Sequence, residues 1–404
     1  MLANIVLIIV MVGVTIYLLY KEINLGIIML FNAIMLIIIK RVAFADAVKL
    51  GISGLFSERT IKVIFILFFI MMLESVMRKT GMIKALVDNI EELVGGNRFA
   101  AVLMPFVIGF LSSTGGARIS CPMVDEAVGE NADPETKAFV NYWFRHTWLD
   151  SFILYPGVIL ASELMNVSVF SLFLHMFPFI AITFASGVFF GVFNVKKEKV
   201  ERTQPVLKSL KLFFINILPV ISLIVFYIVL TPFFKYALEA ATLAVLVLLL
   251  LIKRYSLTDI WATAKEAFSV KYVLIISGVM IFNEVLNGSG VLVELQNAIA
   301  NYGIPRGLVF LVFPIIAGML TGMAMGFTSM SFPLLVSIGL ADNIWLGALA
   351  FAAGMIGQMV TPMHICLVVT ADYFKVNMNK LIKRVLVAEI PLIIVVVAGL
   401  FLLA

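Results

Sequence analysis

Long, predominantly apolar runs alternate with short polar stretches along the chain. Clear runs lie at 2–20, 23–39, 213–230, 237–252 and 385–404. Each is close to the ~20 residues that a helix needs to cross a bilayer. In lipid the backbone must satisfy its own hydrogen bonds, so these runs are predicted to be helices. A membrane barrel would show alternating polar and apolar positions, and that pattern is absent. No basic stretch precedes the run at 2–20, the first lysine being Lys21, so it reads as a first membrane helix and not as a cleaved signal.

The pattern occurs twice. A shift of 209 residues superposes Lys62 on Lys271, Gly81 on Gly290, Pro105 on Pro314, Gly109 on Gly318, Ser112 on Thr321 and Glu163 on Asp372. A shift of 213 superposes Lys40-Arg41 and Asp46 on Lys253-Arg254 and Asp259. Coincidences of Leu or Ile mean little in such a chain, but ordered coincidences of Pro, Gly, Lys and acids mark a duplication. Each half is predicted to hold a helix pair (2–39; 212–252), a basic linker and a third helix (61–77; 271–287). There follow an amphipathic stretch (82–94; 291–301), an apolar arm from Pro105 or Pro314, a long interrupted helix (137–163; 343–371) and a final helix (168–194; 380–404). The domains are then a first repeat at 1–195, a polar linker at 196–211 and a second repeat at 212–404.

The apolar pattern breaks at four places. The first arm runs into Ser112-Ser113-Thr114-Gly115-Gly116-Ala117-Arg118 and ends near Pro122. The second runs into Thr321-Gly322, continues through Gly326, Thr328 and Ser329, and ends near Pro333. Paired glycines and hydroxyl clusters favour turns over helix, and at membrane depth irregular backbone is tolerated where it is buried or lines a watery cavity. A hairpin tip meets that condition. Gly318, Gly322 and Gly326, spaced by four, also fit a helix-packing face. The other two breaks lie in the long helices: His146 to Asp150-Ser151 and Tyr155-Pro156-Gly157, and Gln358 to Thr361-Pro362-Met363-His364. Proline removes a helical hydrogen bond and clashes with the preceding turn. Broken segments at corresponding places in two halves point to a transporter's binding site.

Composition removes other classes. The chain is 62% hydrophobic and 13% charged, with a mean hydropathy of +1.11. Two cysteines, Cys121 and Cys366, and three histidines give neither a disulfide framework nor a metal motif. The net charge of +5 sits mainly between helices, and no soluble basic domain exists to bind nucleic acid. No enzyme motif is present, and no cofactor is expected.

Intramembrane charges narrow the chemistry. Arg118, Arg145, His146 and Asp150 fall in or beside apolar segments, where an ionised group costs at least ~2.5 kcal/mol unless paired or solvated. Arg118 or Arg145 would hold an anionic group. Asp150 would carry a coupling proton or sodium ion, with Asn141, Ser151, Gln358 and His364 around it. The hydroxyls and glycines of the tips (Ser112, Ser113, Thr114, Gly115, Gly116; Thr321, Gly322, Thr328, Ser329), with Thr361, would line the substrate. A structural Arg–Asp pair, or Arg145 and His146 at the interface, is the alternative. If each arm crosses fully, the repeats are parallel; if it returns as a hairpin, each half has about five spans and the repeats are inverted. Positive loops at 196–211, 253–271 and 372–384 share one side in the inverted arrangement, whereas the positive loop at 40–62 and the net acidic first hairpin region at 78–137 oppose it. The hairpin tips favour inversion.

With its hydroxyl-rich tips Ser112-Ser113-Thr114 and 321–329 and its broken helices at 150–156 and 361–362, the chain resembles the ion-transporter superfamily. That group includes divalent-anion/sodium symporters, gluconate and citrate permeases and tripartite-transporter membrane subunits; the resemblance looks closest to a prokaryotic family of unknown function within it. The symporters' Ser-Asn-Thr tip signature is met only in part by Ser112-Ser113-Thr114 and not at Thr321-Gly322-Met323. The resemblance implies an all-α multi-pass protein of the inner membrane, inverted five-helix-plus-hairpin repeats, a homodimer, elevator-like motion, and Na⁺ or H⁺ coupling with Na⁺ at the tips. The expected function is an ion-coupled secondary transporter of a small organic anion. A cation/proton antiporter and the membrane subunit of a binding-protein-dependent system are the alternatives.

Overall fold

The computed structural model describes residues 10–11, 13–15, 17–19, 21, 23–94, 96–109, 116–149, 151–198 and 205–404. It is 84% helix, with no strand among the described residues. The first half holds α1 (Leu25–Ile39), α2 (Phe44–Phe56), α3 (Glu58–Lys79), α4 (Met82–Val94), α5 (Asn97–Gly109), α6 (Gly116–Val128), α7 (Pro134–Leu149), α8 (Pro156–Met165) and α9 (Val169–Phe190). Then come α10 (Val206–Leu230), α11 (Ala237–Ile252), α12 (Leu257–Ala267), α13 (Val270–Gly288), α14 (Val291–Asn301), α15 (Arg306–Thr321) and α16 (Ala324–Ser337). α17 (Ile344–Met359), α18 (Ile365–Phe374) and α19 (Met378–Leu403) complete the chain.

From α1 to α9 and from α11 to α19 the elements recur in one order, including a single 3-10 turn between α6 and α7 and between α16 and α17. The punctuation recurs as well. Four non-glycine residues have positive φ among the described ones, and they form two corresponding pairs: Arg41 and Arg254 at 52°, Asn166 and Lys375 at 56° and 54°. Gly81 and Gly290 turn at 73° and 74°. Prolines sit inside matching helices: Pro105 and Pro314, Pro122 and Pro333, Pro178 and Pro391. Serine hydroxyls cap α3 and α13, Ser57 accepting from the Thr60 N–H and Ser269 from the Tyr272 N–H.

Packing links the two sets. α1 lies on α13 as α11 lies on α3, α2 lies on α13 as α12 lies on α3, and α8 packs on α16 as α18 packs on α6. α3 also touches α13, and α9 touches α19. α17 is buried on nearly all of its faces. α10 buries only Ser209, Pro219, Leu223 and Tyr227 and leaves apolar residues such as Leu207, Phe214 and Leu218 exposed. Among the described residues, five helical stretches (Phe44–Lys79, Val169–Asn194, Val206–Leu230, Val270–Gly288 and Met378–Leu403) are long and apolar enough to cross a membrane. Apolar faces turned outward on long helices are consistent with a membrane protein.

Two local expectations need correction. The basic linkers are not loops: α2 and α12 form within them, and α12 opens on a reciprocal cap between Ser256 and Asp259. The polar stretches of the arms are also shorter than expected. Helix resumes at Gly116 and at Ala324, so Pro122 and Pro333 lie inside α6 and α16 instead of ending the breaks, and Thr328 and Ser329 are helical.

Candidate functional site

The long helices break where the sequence places their prolines. α7 ends at Leu149 and the chain resumes as α8 at Pro156. Proline there occupies the first turn, where its missing N–H has no helical acceptor. α17 ends at Met359, and α18 restarts at Ile365 after Thr361-Pro362-Met363-His364. Thr361 ties this turn down: its hydroxyl donates to the Met319 carbonyl at 2.6 Å and accepts from the Met363 N–H at 3.2 Å. The Tyr142 hydroxyl donates to the Met359 carbonyl at 3.0 Å, filling one of the open acceptors at the end of α17.

The second tip closes on that turn. Gly322 sits at φ +61°, and a Cβ there would lie 2.6 Å from the Met363 main chain, so both conformation and space call for glycine. The chain then enters α16, whose first turn abuts that of α8: a Cβ on Gly157 would lie 2.7 Å from the Ala324 side chain. The Thr328 hydroxyl donates to the Gly157 carbonyl at 3.5 Å.

Arg145 and His146 bind these parts together. A Cβ on Gly116, where α6 begins, would lie 2.4 Å from the Arg145 guanidinium. Arg145 Nη1 donates to Cys366 Sγ at 2.7 Å. His146 Nε2 lies 2.9 Å from His364 Nε2, and its Nδ1 donates to the Tyr142 carbonyl at 2.7 Å. Two neighbours on α7 therefore reach the start of α6 and the second helix break.

These groups line a cavity of ≈ 120 Å³, with Tyr155, Lys271 and Tyr272 on the same wall. Arg145 and His146 are each 2% exposed, and Lys271 stands exposed at the rim. Pro156, Met325, Ile365 and Cys366, all in first turns of α8, α16 and α18, belong to the wall. First-turn N–H groups have no intrahelical acceptor, and each helix start carries about +0.5 of a charge. Among the described residues of the wall there is no carboxylate. Abutting positive helix ends beside Arg145 and Lys271 repel one another, and an anion between them removes the repulsion.

His146, His364 and Cys366 offer donor atoms within 4.8 Å of one another. The guanidinium on Cys366 Sγ sets a fixed positive charge against any cation there, so the cluster does not read as a metal centre.

The sequence-selected residues divide into groups. Ser112, Ser113, Thr114, Gly115 and Asp150 lie outside the described residues. Gly116, Gly322, Thr361 and His364 belong to the cavity wall or the turns beneath it. Thr321 and Ser329 turn their hydroxyls back to the Ala317 and Met325 carbonyls of their own helices. Asn141 is buried apart from the cavity, its amide donating to Thr370 Oγ1 and Cys121 Sγ at 3.1 Å each. Ser151 donates to Met355 Sδ at 3.6 Å, and Gln358 is buried in the last turn of α17. Arg118 does not line the cavity and is exposed. Because helix begins at Gly116, a residue two positions on points ~200° around the axis, away from the Arg145 side. The arginine that lines the cavity is Arg145. Cys366 stands in no motif, and Lys271 and Tyr155 carry repeat and break signals that do not mark them as wall residues; all three line the cavity. Glu389 of α19 is a buried acid, 2% exposed, away from the cavity.

The fold and site define an all-helical protein with several helices apolar and long enough to cross a membrane, and with a buried basic cavity at its helix breaks. Residues 2–403 match the family described as protein of unknown function (DUF401), and the chain belongs to that family. No curated protein matches it.

Proposed function

We propose that this protein is an ion-coupled secondary transporter of a small organic anion, a carboxylate being the group that suits a guanidinium and open helix N-termini. The observation that carries the reading is the cavity wall: Arg145, Lys271 and the starts of α8, α16 and α18 converge without a carboxylate among the described residues. The recurring element order and the matched breaks support a carrier built from two repeats. α5 and α6 have 13 residues each, about 20 Å of helix against the ~30 Å of hydrocarbon core, and they pack on each other as an arm that enters and returns. Such an arm leaves an odd number of crossings per half and inverts one repeat relative to the other. In this reading the tip-bearing part moves against a scaffold in an elevator-like cycle. The exposed apolar faces meet lipid of the inner membrane or a second copy of the chain.

The test is a thermal-shift screen of purified protein against organic anions, with and without sodium. Stabilisation by at least one carboxylate, reduced when Arg145 is neutralised, is the expected result. Stabilisation by no anion under either condition contradicts the proposal.

A further inference from the structure

The His146–His364 contact joins the first broken helix to the second break at the cavity wall. Its two Nε2 atoms are 2.9 Å apart, so one must donate and the other accept. His146 Nδ1 faces the Tyr142 carbonyl and must carry a hydrogen, which leaves His146 Nε2 as the acceptor and His364 Nε2–H as the donor. The remaining lone pair is on His364 Nδ1, buried and met by no hydrogen-bond donor among the described residues. A proton there keeps the contact intact, and the Gln358 main chain beside the ring offers it a carbonyl. A second proton would set N–H against N–H and break the contact. The pair therefore has room for one proton.

Among the described residues, the charged and titratable groups around the pair are Arg145 and Tyr142 of α7, Tyr155 before α8, Lys271 and Tyr272 of α13 and Cys366 of α18. Both fixed charges among them are positive. A proton on the pair is repelled by Arg145 and Lys271 and attracted by an anion in the cavity. The two loads then favour each other by the same factor.

We infer that the His146–His364 pair is the coupling-ion site of this protein, holding one proton at His364 Nδ1 and loading it together with the cavity anion as a proton–anion symporter. The anion half of this statement rests on the proposed function above, whereas the one-proton pair stands on the imidazole geometry alone.

The chain has three histidines, so ¹⁵N-histidine labelling of the full protein in nanodiscs gives three imidazole spin systems. His146→Gln and His364→Gln assign two of them, and His175, on α9, is the internal reference. Titrated from pH 9 to 3, His146 and His364 should move together with uptake of one proton, while His146 keeps its Nδ1–H. His146→Gln should turn His364 into an independently titrating ring. Two independent protons, no proton on either ring, or an unchanged His364 curve in His146→Gln would overturn the pair. Succinate is the probe for the anion: it should raise the pair's midpoint by about one pH unit, a tenfold coupling. Thermal stabilisation by succinate with no shift of the pair overturns the symport inference but leaves the anion site standing. With no stabilisation by succinate, citrate or acetate, the anion reading itself fails, and the succinate-free titration still decides the one-proton pair.

Discussion

Neutralising Arg145 separates the cavity reading from the expectation that Arg118 meets the anion. Arg145 is nearly fully buried, touches the start of α6, and donates to Cys366 Sγ on the cavity wall. Charge-assisted hydrogen bonds to a buried anion contribute about 1.5–3 kcal/mol, which is a roughly 10- to 150-fold change in affinity. Arg145→Gln should weaken carboxylate binding by that factor. Arg145→Lys, which keeps the charge and loses the planar fork, should fall between. Arg118→Gln should bind as the wild type does, because Arg118 is exposed and off the wall. Isothermal titration of the purified variants measures all three, and their anion-free melting temperatures control for the loss of the Cys366 contact. Equal losses in Arg118→Gln and Arg145→Gln, or unchanged affinity in Arg145→Gln, would refute the assignment.

Three other outcomes are expected. Gly322→Ala places a Cβ at positive φ and 2.6 Å from the Met363 main chain, so it should destabilise the fold by roughly 1–3 kcal/mol, read as a lower melting temperature, whereas Gly13→Ala, with open space around it, should not. Of the two cysteines, half-buried Cys366 should react with a small maleimide and buried Cys121 should not, and a bound carboxylate should slow the reaction; mass spectrometry of the alkylated peptides checks this. Partial burial pushes the Asp133 carboxyl up, but the Thr136 N–H and hydroxyl, at 2.8 and 2.9 Å, more than offset this and hold it below the ordinary aspartate range. Its stabilising effect is therefore full above about pH 4 and lost as pH falls through the folded value, so Asp133→Asn should melt earlier near neutrality and lose less on acidification.

The helical architecture was legible because bilayer length, proline and glycine leave marks within single segments. α4 was bounded at 82–94 from its amphipathic pattern alone. The breaks at Tyr155-Pro156 and Thr361-Pro362 were visible for the same reason. The duplication showed at Lys62 and Lys271, at Gly81 and Gly290, and at Pro105 and Pro314, where backbone or charge constrains the residue type. What stayed hidden depends on where the halves touch. His146 meets His364, 218 residues away, a contact that no spacing within one segment reports. Cys366 stands in no sequence motif, yet it receives Arg145 at the cavity wall. Arg118 and Arg145 looked alike as intramembrane cations; the point at which α6 starts turns one outward and leaves the other in the site.

In the proposed function this cavity moves a small anion across a membrane. Reconstituted protein on a solid-supported membrane, jumped from buffer into a series of carboxylates at constant pH, reads that movement as a capacitive current. A transient current with at least one carboxylate, abolished in Arg145→Gln and retained in Arg118→Gln, is the predicted result. Folded, correctly inserted protein that gives no current with any carboxylate, or a current indifferent to Arg145, would contradict it.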